Sequence, residues 1–77
     1  MTDVSLLIRG RRLADDGRGR RLRERAGLSV SELAHALGVD VGTLSRWETG
    51  KAKPRPESAL RWASACEAIE RELENSR

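Results

Sequence analysis

The 77 residues carry a net charge of +3, are 38% hydrophobic, and include two Trp, one Cys and neither Tyr nor Phe. That length supports one domain with a modest core and leaves no room for a separate catalytic or effector-sensing domain. The single Cys66 excludes an internal disulfide, and no apolar run reaches the length of a membrane span or a signal-peptide core, so we expect a cytoplasmic protein that does not engage a membrane.

Gly10, Gly17, Gly19, Gly27, Gly38, Gly42, Gly50, Pro54 and Pro56 punctuate the chain. Between them the apolar spacing is helical, without strand-like alternation, which predicts an all-α, compact bundle of about five helices. Val4 to Ala14 reads as a short helix. Asp15 or Asp16 caps a second, from about Arg18 to Ala26, unless Gly17 and Gly19 lie within one long kinked helix. Ser29 and Glu32 form an S-x-x-E capping box, so a third helix starts just after Ser29, with Val30, Leu33, Ala34 and Leu37 as its buried stripe. Gly38 stops it, Val39 plugs the turn, and Asp40 caps a fourth helix, Val41 to Thr49, that buries Leu44 and Trp47. After the basic loop Lys51 to Arg55, Pro56 opens a long C-terminal helix running to Asn75. Its stripe is Trp62, Cys66, Ile69 and Leu73.

Most of the arginines fall in residues 1–25, whereas 57–77 are net acidic. A basic front and an acidic tail suit a polyanion on one side only, or a set of solvated helix faces. The segment Ser29 to Gly50 favours the former. Two helices joined by so short a connection must cross steeply, with Ala34 allowing close approach and Gly38 supplying the turn. The second helix is thereby pushed outward, with one face free for a groove about 12 Å wide. His35 has no second ligand at metal spacing. No nucleophile with a base partner and no phosphate-binding loop occurs. Neither an enzyme nor a cofactor is expected.

Gly27-Leu28-Ser29, Leu33-Ala34, Leu37-Gly38-Val39, Thr43 to Glu48 and Gly50-Lys51 together resemble the xenobiotic-response-element (phage repressor and Cro-like) helix-turn-helix family, over about residues 18–66. The resemblance implies that helix 41–49 is the recognition helix and that double-stranded DNA is the partner. It implies an ion pair between Arg23 and Glu48 that ties this helix to the scaffold. Base contacts then fall to Val41, Gly42, Thr43, Ser45 and Arg46. Relatives usually offer polar side chains where this chain has Val41 and Gly42, and a glutamine where it has Val30. Arg46 is therefore the best direct reader, by a bidentate contact to guanine, with a phosphate clamp as its plainer role. Thr49, Lys51, Lys53 and Arg55 match positions that grip phosphate, and Ser29 and Ser31 reach the backbone. Arg18, Arg20 and Arg21 add phosphate contacts or form a solvated face.

Relatives commonly follow the fourth family helix with a turn and a fifth helix; here Glu67 to Asn75 simply continues. The expected division is a helical extension over 1–17, the DNA-binding domain over 18–66, and an extension of the last helix over 67–77. Leu6, Leu7 and Ile8 at one end and Trp62, Cys66, Ile69 and Leu73 at the other either pack together within one chain or pair between chains. We expect the latter, a homodimer on an inverted repeat. The leading function is a sequence-specific transcriptional regulator of the phage or mobile-element repressor kind. The alternative is an antitoxin that binds a toxin protein through its acidic terminal segment.

Overall fold

The computed structural model describes residues 3–76, and among these it contains five helices and no strand: α1 (Val4–Asp15), α2 (Arg18–Arg25), α3 (Val30–Leu37), α4 (Val41–Glu48) and α5 (Pro56–Asn75). None is long and apolar enough to cross a membrane. Residues 1, 2 and 77, the outermost parts of the two expected extensions, lie outside the described residues.

Local chemistry sets the helix starts. The Asp3 side chain accepts the Leu6 N–H at 3.1 Å to cap α1. Gly17 then turns the chain at φ 72°, and Asp16 Oδ1 accepts the Arg18 N–H at 2.9 Å. The second helix is thus separate from the first, but its N-cap residue is Gly17, which has no side chain to cap with; the expected aspartate cap is corrected to an Asp16 bond from one residue earlier. Pro56 occupies the first turn of α5 with Glu57 beside it, where a missing N–H costs nothing and a carboxylate favours the helix dipole.

The core is economical. Trp62 and Leu44 are fully buried at its centre, and the rings of Trp47 and Trp62 lie 5.6 Å apart and tilted by 38°. Burying a tryptophan removes roughly 150–250 Å² from water, about 4–6 kcal/mol. That outweighs the cost of the Trp62 indole N–H, which is buried without an acceptor among the described residues and forfeits about 1–3 kcal/mol. Two indoles fill the space that Phe and Tyr share in a richer core.

Gly10 and Gly19 break no helix. Each lies buried inside one, because α5 comes too close for a side chain. A Cβ on Gly10 would stand 2.3 Å from the Ala59 carbonyl oxygen, and one on Gly19 would stand 2.5 Å from Cζ2 of Trp62. The expectation that these two glycines act as breakers is corrected accordingly, as it is for Gly42, which lies within α4.

The intermolecular use of the α5 stripe is corrected as well. Trp62, Cys66 and Ile69 are 0%, 2% and 7% exposed within the single chain, so they belong to its core and present no surface to a second copy. Helix α1 covers α5, its most extensive packing partner, through Leu13 and Ala14, while Leu6 and Leu73 rest half-buried against the same core. The surface pairs Arg9–Glu67 and Arg18–Glu70 (2.6 Å) also join front to back. Exposed pairs of this kind contribute little to stability, so apolar packing holds α1 in place. Burial pushes the Cys66 thiol up to about 12, which keeps it protonated and unreactive.

Alanine at an exposed helical glycine ordinarily stabilises. Gly10→Ala is expected to do the opposite, lowering stability by about 1–3 kcal/mol through overpacking against Ala59. Urea denaturation of the two proteins measures the sign directly.

Candidate nucleic-acid interface

The interface is built from α3, a tight turn and α4. The Ser29 hydroxyl accepts the Glu32 N–H at 3.0 Å while the Glu32 carboxylate accepts the Ser29 N–H at 2.8 Å, a closed capping box. Those bonds hold the Glu32 carboxyl below its usual range. At the other end Gly38 takes φ 72°, and the Val39 N–H returns to the Ala34 carbonyl at 3.0 Å. Two residues later the Asp40 carboxylate accepts the Thr43 N–H at 2.9 Å and begins α4. Leu33, Ala34, Leu37, Leu44 and Trp47 fill the wedge between the helices, with Val39 half-buried beneath the turn.

One guanidinium fixes the second helix to the scaffold. Arg23 Nε and Nη2 donate to the two oxygens of Glu48 at 2.8 and 3.0 Å, and Nη1 donates to the Leu28 carbonyl at 2.9 Å. The side chains are 12% and 4% exposed. The Glu48 hydrogen bonds raise the Arg23 pKa against the opposing effect of burial, so the arginine stays charged at every accessible pH. The link to Leu28 carries no sequence signal, and it brings α2, the α2–α3 loop and α4 onto one group.

With Leu44, Trp47 and Glu48 turned inward, Val41, Gly42, Ser45, Arg46 and Thr49 form a continuous exposed strip on α4. Thr43 is half-buried at its edge, and its hydroxyl donates to Asp40 Oδ1 at 3.1 Å. Arg46 Nη2 reaches back to Thr43 Oγ1 at 3.4 Å. Thr49 donates its hydroxyl to the Ser45 carbonyl at 3.0 Å. Lys51, Lys53 and Arg55 follow on exposed backbone, and Lys53 and Arg55 share a shallow hollow with Gly38, Val39, Asp40 and Thr43. Buried Pro54 anchors the loop between them.

The other expected contact residues lie in different settings. Ser29 spends its hydroxyl in the capping box, whereas Ser31 is exposed. Val30 is half-buried against the core. Arg18 pairs with Glu70, Arg20 with Glu24 at 3.4 Å, and Arg21 donates to the Asp16 carbonyl at 2.8 Å. These three guanidiniums are engaged within the chain. Sequence reasoning missed the Asp40–Thr43–Arg46 chain of bonds, although its i, i+3 spacing on one helix is the signal for it.

A capped helix, a left-handed glycine turn and a second capped helix with one exposed face define a helix-turn-helix DNA-binding module. The Cro/C1-type helix-turn-helix family model matches residues 20–72, over half of the chain, and the protein belongs to this family. Membership implies sequence-specific DNA binding and with it transcription regulation; the family is non-catalytic. Comparison with curated proteins and with solved structures returns no match.

Removing one partner of the Arg23–Glu48 pair leaves a buried charge uncompensated. Arg23→Ala is expected to cost about 3–5 kcal/mol, and Arg23→Ala with Glu48→Ala less than the sum of the single variants. Equilibrium unfolding of the three variants tests both statements.

The Thr43 backbone N–H, then its hydroxyl, holds the Asp40 carboxyl below its ordinary value. A carboxyl depressed in the folded state contributes stability that is present above its unfolded pKa and lost as pH falls through the folded one. Stability should therefore fall on acidification below the ordinary carboxylate range. Asp40→Asn, which retains a capping oxygen but does not titrate, should make that fall shallower in a pH series of thermal melts.

Proposed function

We propose that this protein is a repressor of the phage or mobile-element kind, which inserts α4 in the major groove of an operator and blocks polymerase by occupying it. The observation that carries this reading is the exposed strip on α4, with Arg46 as its only cation, followed at once by Lys51, Lys53 and Arg55. Arg46 reads a guanine edge through its paired N–H groups, Val41 meets a thymine methyl, and Gly42 allows close approach. Ser45 and Thr43 reach base edges or phosphate. Thr49 and the three loop cations, joined by Ser31, grip phosphate, which sets register and supplies most of the affinity. Such a protein works where the DNA is, in the cytoplasm.

A homodimer completes the proposal. Val4 and Ile8, one turn apart on α1, are 64% and 46% exposed, and Leu7 lies half-buried beside them. This smaller patch takes the place of the wider set first expected for pairing. A two-fold dimer through it favours an inverted-repeat operator. The antitoxin alternative rested on the acidic terminal segment with Ile69 and Leu73; Ile69 lies in the core and Leu73 is half-buried against it, so no observation favours that reading over the repressor.

Selection of bound sites from random DNA tests the whole reading, with inverted half-sites expected; single half-sites, with a monomer mass on DNA in sedimentation, would overturn the dimer. Arg46→Ala should cost about 1–3 kcal/mol and relax preference at one base pair. Lys51→Ala with Lys53→Ala should weaken binding to every sequence and lower the salt slope by about 1 for each phosphate no longer neutralised. Equal weakening on all sequences from Arg46→Ala would make it a phosphate clamp instead.

A further inference from the structure

We propose that Gly42 and Thr43 are positioning residues for Arg46, holding its guanidinium over the first turn of α4 as a pre-set reader of one base pair. The proposal rests on the reading that α4 enters the major groove.

The seven glycines of the chain divide by cause. Gly17, Gly27, Gly38 and Gly50 have positive φ, and Gly10 and Gly19 lie under α5, where a Cβ would collide. Gly42 has neither reason. It is exposed, it lacks a positive φ, and it sits in a helix, where glycine is the poorest choice after proline. What a Cβ there would meet is Arg46 Nη1 at 3.3 Å and Asp40 Oδ2 at 3.3 Å. The bare backbone at position 42 leaves room for the end of the Arg46 guanidinium.

Thr43 and Asp40 supply the walls. Arg46 Nη2 donates to Thr43 Oγ1, the same hydroxyl donates to Asp40 Oδ1, and the other Asp40 oxygen accepts the Thr43 N–H. The Asp40 carboxylate also attracts the guanidinium directly. Among the described residues one long bond engages Arg46, which leaves the rest of its fork for an acceptor pair such as guanine O6 and N7. A fork already in place surrenders less side-chain freedom on binding than a mobile one.

Site selection from random DNA with the wild type, Gly42→Ala, Thr43→Val, Arg46→Ala and the Gly42→Ala/Arg46→Ala pair provides the test. The methyl of Gly42→Ala meets the ends of two exposed side chains and no backbone, so the fold is expected to survive, as a thermal melt of the variant checks. Gly42→Ala should flatten preference roughly 5-fold at the base pair that Arg46→Ala flattens, and Thr43→Val should act at that base pair in the same direction. In the Arg46→Ala background, Gly42→Ala should change nothing further. The proposal is overturned if Gly42→Ala leaves the profile intact, alters a different base pair, or adds its full effect to that of Arg46→Ala. Those results would leave Arg46 as the reader. Arg46→Ala without effect at any base pair would instead sink the reading beneath the proposal.

Discussion

The three bonds of Arg23 decide where the DNA-facing helix stands. Burying two charges costs several kcal/mol per ion, and an apolar pair of equal volume would serve stability as well or better. An apolar pair would not set an angle. Two parallel N–H···O bonds to Glu48 fix both the distance and the rotation of the end of α4, and the third bond registers the α2–α3 loop against the same plane. Glu48 also lies at the C-terminal end of α4, where the helix dipole disfavours a carboxylate. Arg23 overrides that penalty. The exposed strip of α4 is thus held by a group whose value is geometric.

The remaining cations sort by what they face. Arg9, Arg18 and Arg20 spend their charge on carboxylates of the scaffold, and Arg21 on a carbonyl. Arg46 makes one long bond to a hydroxyl, and no ion pair forms at Lys51, Lys53 or Arg55 among the described residues. Arg9 and Arg18 thus reach from the front helices to carboxylates of the acidic helix behind them, while Arg20 and Arg21 bond within the front itself.

What could be read in advance follows the range of each cause. The ends of α3 and α4 are set by Ser29, Glu32, Gly38 and Asp40 acting within a few residues, so both helices are legible from the sequence. The Arg23–Glu48 pair spans distant elements with no local mark, and only the family resemblance pointed to it. Gly10 and Gly19 look like breakers because their cause, the backbone at Ala59 and the ring of Trp62, sits on another helix. The stripe on α5 announced a buried face without naming what buries it. Helix α1 together with Gly19 of α2 and Trp47 of α4 does so, which turned an apparent interface into core.

The same division of labour bears on how this surface separates one DNA sequence from another. In the proposed reading, phosphate contacts from the loop raise affinity for every sequence equally and so carry no information. That reading gives Val41 a methyl contact and Gly42 no side chain at all, which leaves the information on α4 concentrated in Arg46 and the hydroxyls beside it. A single long side chain discriminates poorly when it is free to follow whichever acceptor is near. It discriminates well when its place is set beforehand, because a mismatched base then meets donors that cannot turn away. The frame tied by Arg23 is one source of that placement, and a guanidinium set beside a bare glycine is the other that we propose.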